Sequence, residues 1–412
     1  MNNRRWNKSR REFLIKSISG ITSVSLLPSL IKGEVRAKRE IKDKREKNII
    51  YRTLGRTGLK IPIVSLGCGL VDNPQLVHAA LDAGVVYFDT APGYGSGANE
   101  SILGEVFKGR PRDSFVVATK IDLPVDNRTG LIPGNISPAR FKAYFHNALD
   151  TSLKHLQLDY LDILYLYGPN NPDLIGLQRV KDVMLEVKEE RKASFLGVSF
   201  HQNEPAMIKA TVDEKIYDVI LSSYNFRQPH KEEVKKAIAY AAKAGLGIAA
   251  IKTMAGVYWD KERKHPINAK AALKWVLQDE NVHTAIPGIS TFDQLELDMS
   301  VMEDLTLTPK ERDDLKLGQK TGMSGLYCAQ CGRCRLQCPY NLDIPTMMRS
   351  YMYAYGYKNP ALAKETLQSV DLHNTPCTDY HSCTVTCSMG FDIRNKILDI
   401  VRLNDVPEDF LV

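Results

Sequence analysis

The sequence predicts an α/β fold: a (β/α)8 TIM barrel followed by a small C-terminal α-helical domain built on a cysteine site. Three observations predict it. Between residues 61 and 302, short β-branched or aromatic runs alternate with amphipathic stretches eight times, the count of a closed parallel barrel. Two successive strand-like runs end in opposite charges, Asp89 and Lys120, with Tyr94 on the loop between them. Charge is disfavoured at the buried end of a strand unless it pairs, and the C-terminal strand ends of an α/β barrel are where catalytic groups collect. Finally, seven of the eight cysteines fall after residue 327, which is a site and not a disulfide framework spread through a fold.

The elements follow in order. Residues 51–60 place Gly55 and Gly58 for turns between short extended runs, a hairpin. Strand 61–66 leads to a helix over 74–83 with Gly84 as its C-cap. Strand 85–89 is broken by Ala-Pro-Gly into the loop that presents Tyr94, and helix 99–107 follows. Strands 114–120, 161–166, 194–199, 218–223, 247–252 and 282–286 then alternate with helices at 138–156, 174–191, from 204, 231–244, 268–279 and 291–302. An open doubly wound sheet is the alternative, but no Gly-x-Gly-x-x-Gly turn follows the first strand. Thr308 caps, and Pro309 opens, a further short helix. The chain therefore divides into residues 1–47, a barrel at 48–320 and a cysteine domain at 321–412.

The net charge of +7 over 412 residues is an effect of one end. Residues 1–47 hold fourteen Lys/Arg against five Asp/Glu, so they carry +9 and the remainder −2. The folded part has no bias toward nucleic acid, and no aromatic-interleaved basic patch argues for one. Within that basic end, Ser9-Arg-Arg-Glu-Phe-Leu14 resembles a twin-arginine export signature, followed by a modestly apolar stretch at 17–31 that is too short and polar for a comfortable membrane span. Export to the periplasm, or membrane association through an uncleaved signal, is expected, with the export machinery as a partner. That route carries proteins already folded around their cofactors, so it agrees with a cofactor site built on cysteines.

Cys328-x2-Cys331-x2-Cys334-x3-Cys338-Pro339 has bacterial ferredoxin spacing. A zinc site, with two cysteine pairs farther apart, is the alternative. The second group, Cys377-x5-Cys383-x3-Cys387, lacks one cysteine of that pattern. By ferredoxin logic Cys328, Cys331, Cys334 and Cys387 complete one [4Fe–4S] cluster, and Cys338, Cys377 and Cys383 leave a second site one thiolate short. One cluster is expected and a second stays open. The aromatic run 351–357 reads as a helix packing on the barrel, and Cys68 as a small buried hydrophobe.

The ordered motifs Phe88-Asp-Thr-Ala-Pro-Gly-Tyr-Gly95, Ala118-Thr-Lys120, Gly197-Val-Ser199, Tyr224-Asn225 and Ile286-Pro-Gly288 resemble the aldo/keto reductase superfamily over residues 50–320. The resemblance implies a nicotinamide cofactor, NADP or NAD, extended across the barrel mouth, and a carbonyl or alcohol substrate. It also implies a catalytic tetrad of which Asp89, Tyr94 and Lys120 carry over. Tyr167 stands where the family usually has His, and Phe200-His201 where it often has an Asn that binds the nicotinamide amide. His201 is a candidate for that hydrogen bond. Ser199, Tyr224, Asn225, Lys252 and Gly256 are the other expected cofactor contacts around the nicotinamide and pyrophosphate. Gly288, Ser290, Gln294 and Asp298 are expected at the adenosine, where Glu296 and Asp298 would repel a 2′-phosphate.

The chemistry stands on the residues as well. Lys120, positioned by Asp89, is expected to lower the pKa of Tyr94, which then exchanges a proton with a substrate oxygen as hydride moves. The expected function is hydride transfer between nicotinamide and a carbonyl/alcohol pair, with a redox partner for the cluster. A ligand-binding barrel with a structural cluster, or an electron-transfer enzyme driven by the cluster, are the alternatives.

Overall fold

The computed structural model describes residues 49–126, 131–169, 171–201, 203–228, 230–254, 256, 265–321, 328, 333–340, 342–356, 359–370, 372, 383–387 and 390–411. The export signature and two cysteines, Cys331 and Cys377, lie outside these residues.

An antiparallel hairpin comes first, β1 (Tyr51–Thr53) paired with β2 (Lys60–Pro62). Eight parallel strands follow in sequence order: β3 (Leu66–Gly67), β4 (Tyr87–Asp89), β5 (Val116–Asp122), β6 (Leu161–Tyr167), β7 (Ala193–Phe200), β8 (Val219–Ser223), β9 (Gly247–Ile251) and β10 (Thr284–Ala285). The two edges of this sheet meet. Val64 bridges Ala285 and Gly67 bridges Gly288, both in parallel. The Ser65 N–H donates to the Ala285 carbonyl and the Gly67 N–H to the Pro287 carbonyl, each at 2.9 Å. Only glycine permits that approach, since a Cβ on Gly67 would lie 2.8 Å from the Pro287 oxygen. The seam differs from the expected strand at 61–66. Ile61 and Pro62 belong to the hairpin, and Pro62 has no N–H with which to extend its ladder. The barrel strand begins beyond it.

Between strands run α1 (Pro74–Ala83), α2 (Ala98–Phe107), α3 (Pro138–Leu156), α4 (Gln178–Glu189), α5 (Glu204–Asp213), α6 (Lys231–Lys243), α7 (Ala269–Leu277) and α8 (Phe292–Met299). Their starts are written locally. Asn73 accepts from the Gln75 N–H and Ser137 from the Arg140 N–H, each followed by a proline in the first turn. In α3, Phe141, Phe145, Leu149 and Leu156 form the buried stripe, which recurs on one helical face and fixes that face against the sheet.

Two apolar layers result. One lies between sheet and helices. The other fills the barrel, where Leu54 of the hairpin packs with strand residues and the Tyr87 and Tyr165 hydroxyls meet at 2.8 Å. A polar pair in that interior is tolerated because each hydroxyl satisfies the other.

After the barrel, α9 (Pro309–Thr321) docks on α7 through the buried pair of Lys274 Nζ and Glu311 Oε2 at 3.2 Å. The C-terminal region holds α10 (Ile344–Tyr351), a π-helical turn (Met352–Gly356), α11 (Pro360–Gln368) and α12 (Ile393–Val401). Asp343 caps α10 by accepting from the Thr346 N–H and also pairs with Arg335 Nη2 at 2.6 Å. Ile344, Met347, Ile397 and Ile400 pack around Cys334 as a core separate from the barrel's. Among the described residues, no helix is long and apolar enough to cross a membrane.

Candidate active site

The ends of β4 and β5 bring Asp89 and Lys120 together. Lys120 Nζ donates to Asp89 Oδ2 and to the Thr90 carbonyl, both at 2.6 Å, and both side chains are buried. Burial pushes the Asp89 carboxyl up, and Lys120 opposes that shift only in part. Asn99 ties down the loop after β4. Its amide donates to the Cys68 and Val71 carbonyls at 2.7 and 2.8 Å and its oxygen accepts from Thr90 Oγ1 at 2.6 Å. The loop then turns through the left-handed region at Gly95 and Ser96. Tyr94 is thereby held with its ring 5.1 Å from Lys120 Nζ and against Gly69, where a Cβ would approach the ring to 3.2 Å.

One electrostatic expectation is corrected. The Tyr94 phenol lies well above its ordinary range, not below it, because burial and then Asp89 disfavour the phenolate. The ammonium faces the ring and spends its hydrogen bonds on Asp89 and Thr90. Tyr94 is therefore a protonated hydrogen-bond donor in this state.

Tyr167 ends β6, and its hydroxyl lies 3.3 Å from His201 Nε2, with the two rings edge to face. An imidazole thus stands beside Tyr167, just beyond β7. Burial and the cations Lys252, Lys120 and Arg349 hold the His201 pKa well below its usual value, so the ring is neutral and has one N–H to give. Burial also raises the Tyr167 phenol. His201 Nδ1 is buried without a partner among the described residues.

Other orphaned groups cluster at neighbouring strand ends. Ser199 Oγ at β7, Ser223 Oγ at β8 and Thr253 Oγ1 just past β9 are buried without partners among the described residues. A buried unpaired hydroxyl costs about 1–3 kcal/mol, so such a row fits a polar ligand laid across the mouth. Ser223 and Thr253 were not expected from sequence, although each adjoins a residue that was. Position at a strand end was the available signal.

Several of the expected cofactor contacts have protein partners of their own. Tyr224 is buried against Trp275, with its hydroxyl 3.5 Å from Asp279 Oδ2. Asn225 is spent on its own loop, donating to the Lys252 carbonyl at 3.1 Å and accepting from the Arg227 N–H at 3.1 Å. It holds Lys252 in the left-handed region (φ 53°), a conformation that non-glycine residues adopt at a cost. Asp298 is 1 % exposed and burial pushes it up to about 8. At neutral pH it is mostly uncharged, so it does not present the repelling charge expected at a 2′-phosphate. Ser290 donates from both N–H and Oγ to Gln294 Oε1 at 2.8 and 3.1 Å. Gly288, Ser290 and Gln294 are exposed beside the seam, and Gly256 has φ 121°.

Charged and polar groups of the cysteine domain act electrostatically on this mouth. Arg349 of α10 is close enough to act electrostatically on Asp122, Tyr167, His201 and Lys252. Tyr353 of the π-turn does the same to Tyr94, and Cys328 to Lys252. Desolvation by the surrounding protein, followed by Arg349, lowers the Lys252 pKa, although the residue keeps exposed surface. Nothing in the sequence marked Arg349. The aromatic run was expected only to pack.

Four of the described cysteines belong to or border one apolar core. Cys334 lies in the C-terminal core with Cys328, Cys338 and Cys387 packed against it. Gln337, between Cys334 and Cys338, donates to the Thr386 carbonyl at 3.2 Å and accepts from the Thr386 N–H at 2.8 Å, which fastens the second cysteine segment to the first. Cys383 is exposed. Soft thiolates gathered from two segments in an apolar setting suit an iron–sulfur cluster.

Comparison with known proteins agrees with this geometry. Residues 71–270 match the Aldo/keto reductase family and residues 327–392 match the 4Fe-4S dicluster domain. An aldo-keto reductase of Bacillus subtilis, YhdN, is 30% identical over 162 residues, covering 36% of this chain and 46% of that protein. L-galactose dehydrogenase of Arabidopsis thaliana is 25% identical over 315 residues, covering 65% of this chain and 92% of that protein. In structure, an aldo-keto reductase of Klebsiella pneumoniae in complex with NADPH superposes with a TM-score of 0.50 at 21% identity, over 66% of this chain and 96% of that one. The barrel is thus similar to the Aldo/keto reductase family over residues 71–270, and the residues after it match a 4Fe-4S dicluster domain.

Proposed function

We propose that this chain transfers hydride between a nicotinamide cofactor and a carbonyl or alcohol substrate, with Tyr94 as the group that exchanges the proton. The observation that carries the proposal is Tyr94 beside the buried Asp89–Lys120 pair at the strand ends. A buried ion pair is seldom more stabilising than apolar residues of the same volume, so its presence beside a phenol supports a chemical role. The orphaned Ser199, His201, Ser223 and Thr253 fit a polar cofactor lying across the mouth. Nicotinamide, when bound there, supplies or accepts the hydride.

The chain's own residues do the rest. Tyr94 Oη gives or takes the proton at the substrate oxygen. The Tyr167–His201 pair offers a second hydrogen bond to that oxygen or to the nicotinamide amide. Lys252 and Gly256 bring backbone to the pyrophosphate, and Gly288, Ser290 and Gln294 border the adenosine. Titrating the anaerobic holoprotein with NADH and NADPH, while following cofactor fluorescence and cluster absorbance, is the test. Saturable binding of at least one is expected, and binding of neither sinks the proposal. Cys328 near Lys252 favours a second reading, electronic coupling of cluster and site. Bleaching of cluster absorbance during the same titration is the result that reading requires.

Export is proposed on Arg10 and Arg11. Replacing both with Lys is expected to leave the protein in the cytoplasmic fraction, and unchanged fractionation overturns it.

A further inference from the structure

We infer that His155, in the outer helical layer, is a positioning residue for Tyr94 and Lys120, acting through the buried carboxylate of Glu100. The purpose of that positioning rests on the hydride-transfer reading. Glu100 stands in the first turn of α2, the helix into which the Tyr94 loop runs, and its side chain is fully buried. Glu100 Oε1 accepts from Thr119 Oγ1 at 2.6 Å. Thr119 precedes Lys120 on β5, so the two side chains leave opposite faces of the strand. Glu100 Oε2 lies 3.4 Å from His155 Nδ1, in the last turn of α3. A carboxylate only accepts, so the imidazole gives its Nδ1 proton to that oxygen.

Among the described residues, His155 is the one basic side chain within ion-pair distance of Glu100. Burying a carboxylate is costly unless it is paired and hydrogen-bonded, and His155 with Thr119 does both from opposite sides. The same ring supports the loop. A Cβ on Gly97 would lie 2.6 Å from His155 Cε1 and 2.7 Å from Nδ1, so the imidazole packs on the backbone where the Tyr94 loop passes into α2. That helix begins at Gly97 in the left-handed region (φ 92°) and has no side-chain cap. Contact with the ring therefore holds an end that no cap holds. One side chain thus touches the backbone three residues beyond Tyr94 and, through Glu100 and Thr119, the strand residue next to Lys120. It is itself 34 % exposed, so it can be replaced without opening the core.

The test uses the cluster-loaded holoenzyme, benzaldehyde, and whichever of NADH and NADPH the wild type binds. His155→Leu keeps bulk and loses the donor. It is expected to lower kcat about 10–100-fold, the effect of misplacing a reacting group by about 1 Å, while the Kd for the nicotinamide moves less than about twofold. His155→Asn, whose amide offers an N–H near the lost Nδ1, should recover part of the loss. In a Glu100→Gln background no carboxylate needs a partner, so His155→Leu should lower kcat less than about threefold. Amide hydrogen exchange gives a readout without turnover: His155→Leu should speed exchange in residues 93–98 about tenfold and leave that of β6 unchanged. If the wild type turns over no aldehyde, the hydride-transfer reading fails and exchange alone decides. Faster exchange confined to 93–98 then keeps His155 as the support of the loop, and unchanged exchange overturns it. With an active wild type, a His155→Leu kcat within about twofold of normal overturns the inference. So does a loss that His155→Asn leaves whole or that persists undiminished in Glu100→Gln.

Discussion

Tyr94→Phe is expected to lower kcat for an aromatic aldehyde by about 10²–10⁴-fold, the usual value of a positioned proton donor, while nicotinamide binding is retained. The substitution removes one oxygen. The ring stays wedged between Gly69 and the Lys120 ammonium, and the loop that carries it stays fastened by Asn99, so neither the fold nor the cofactor cradle changes. Since burial keeps the Tyr94 phenol protonated through neutral pH, the wild-type hydroxyl is present as an acid whenever a carbonyl arrives. Loss of kcat without loss of binding separates this role from simple packing. A variant that kept more than about a tenth of the wild-type rate would move the proton to another group. The Tyr167–His201 pair is the next one in the site that carries one.

Cys334→Ser is expected to have the largest structural effect. Iron would fall from about four per cluster toward none, and the C-terminal region would become protease-sensitive while the barrel keeps its far-UV spectrum. Cys334 lies in the C-terminal core, 8 % exposed, between the α10 and α12 residues that pack around it. Binding a metal centre contributes to folding free energy wherever the site is absent from the unfolded chain. Those helices form a separate apolar cluster from the two that hold the barrel, so the loss should stop at the domain border. Unchanged iron, acid-labile sulfide and protease resistance would remove Cys334 from the ligand set.

Much of this molecule is written in local chemistry. The strand–helix rhythm, the caps at Asn73 and Ser137, and the charged strand ends at Asp89 and Lys120 each depend on residues within a few positions of one another. Backbone propensity and periodicity act over that range. The cysteine spacing is legible for the same reason, since three ligands fall within one short segment.

What the sequence could not fix is whatever depends on residues far apart in the chain. The seam at Gly67 and Pro287, the exchange of hydrogen bonds between Gln337 and Thr386, and the meeting of Tyr167 with His201 are contacts of this kind. The burial of Tyr224 and Asp298 also followed from packing, which no strand-end motif encodes. The expected lowering of the Tyr94 pKa failed for a related reason. Adjacency of a lysine and a tyrosine in a motif does not say whether the ammonium faces the oxygen or the ring, and it omits the cost of desolvation. Sequence by itself determined the barrel, the Asp89–Lys120–Tyr94 constellation and the cysteine site. Only the tertiary structure joined the two edges of the sheet at Gly67 and Pro287 and brought His201 to Tyr167, because both contacts lie between residues far apart in the chain.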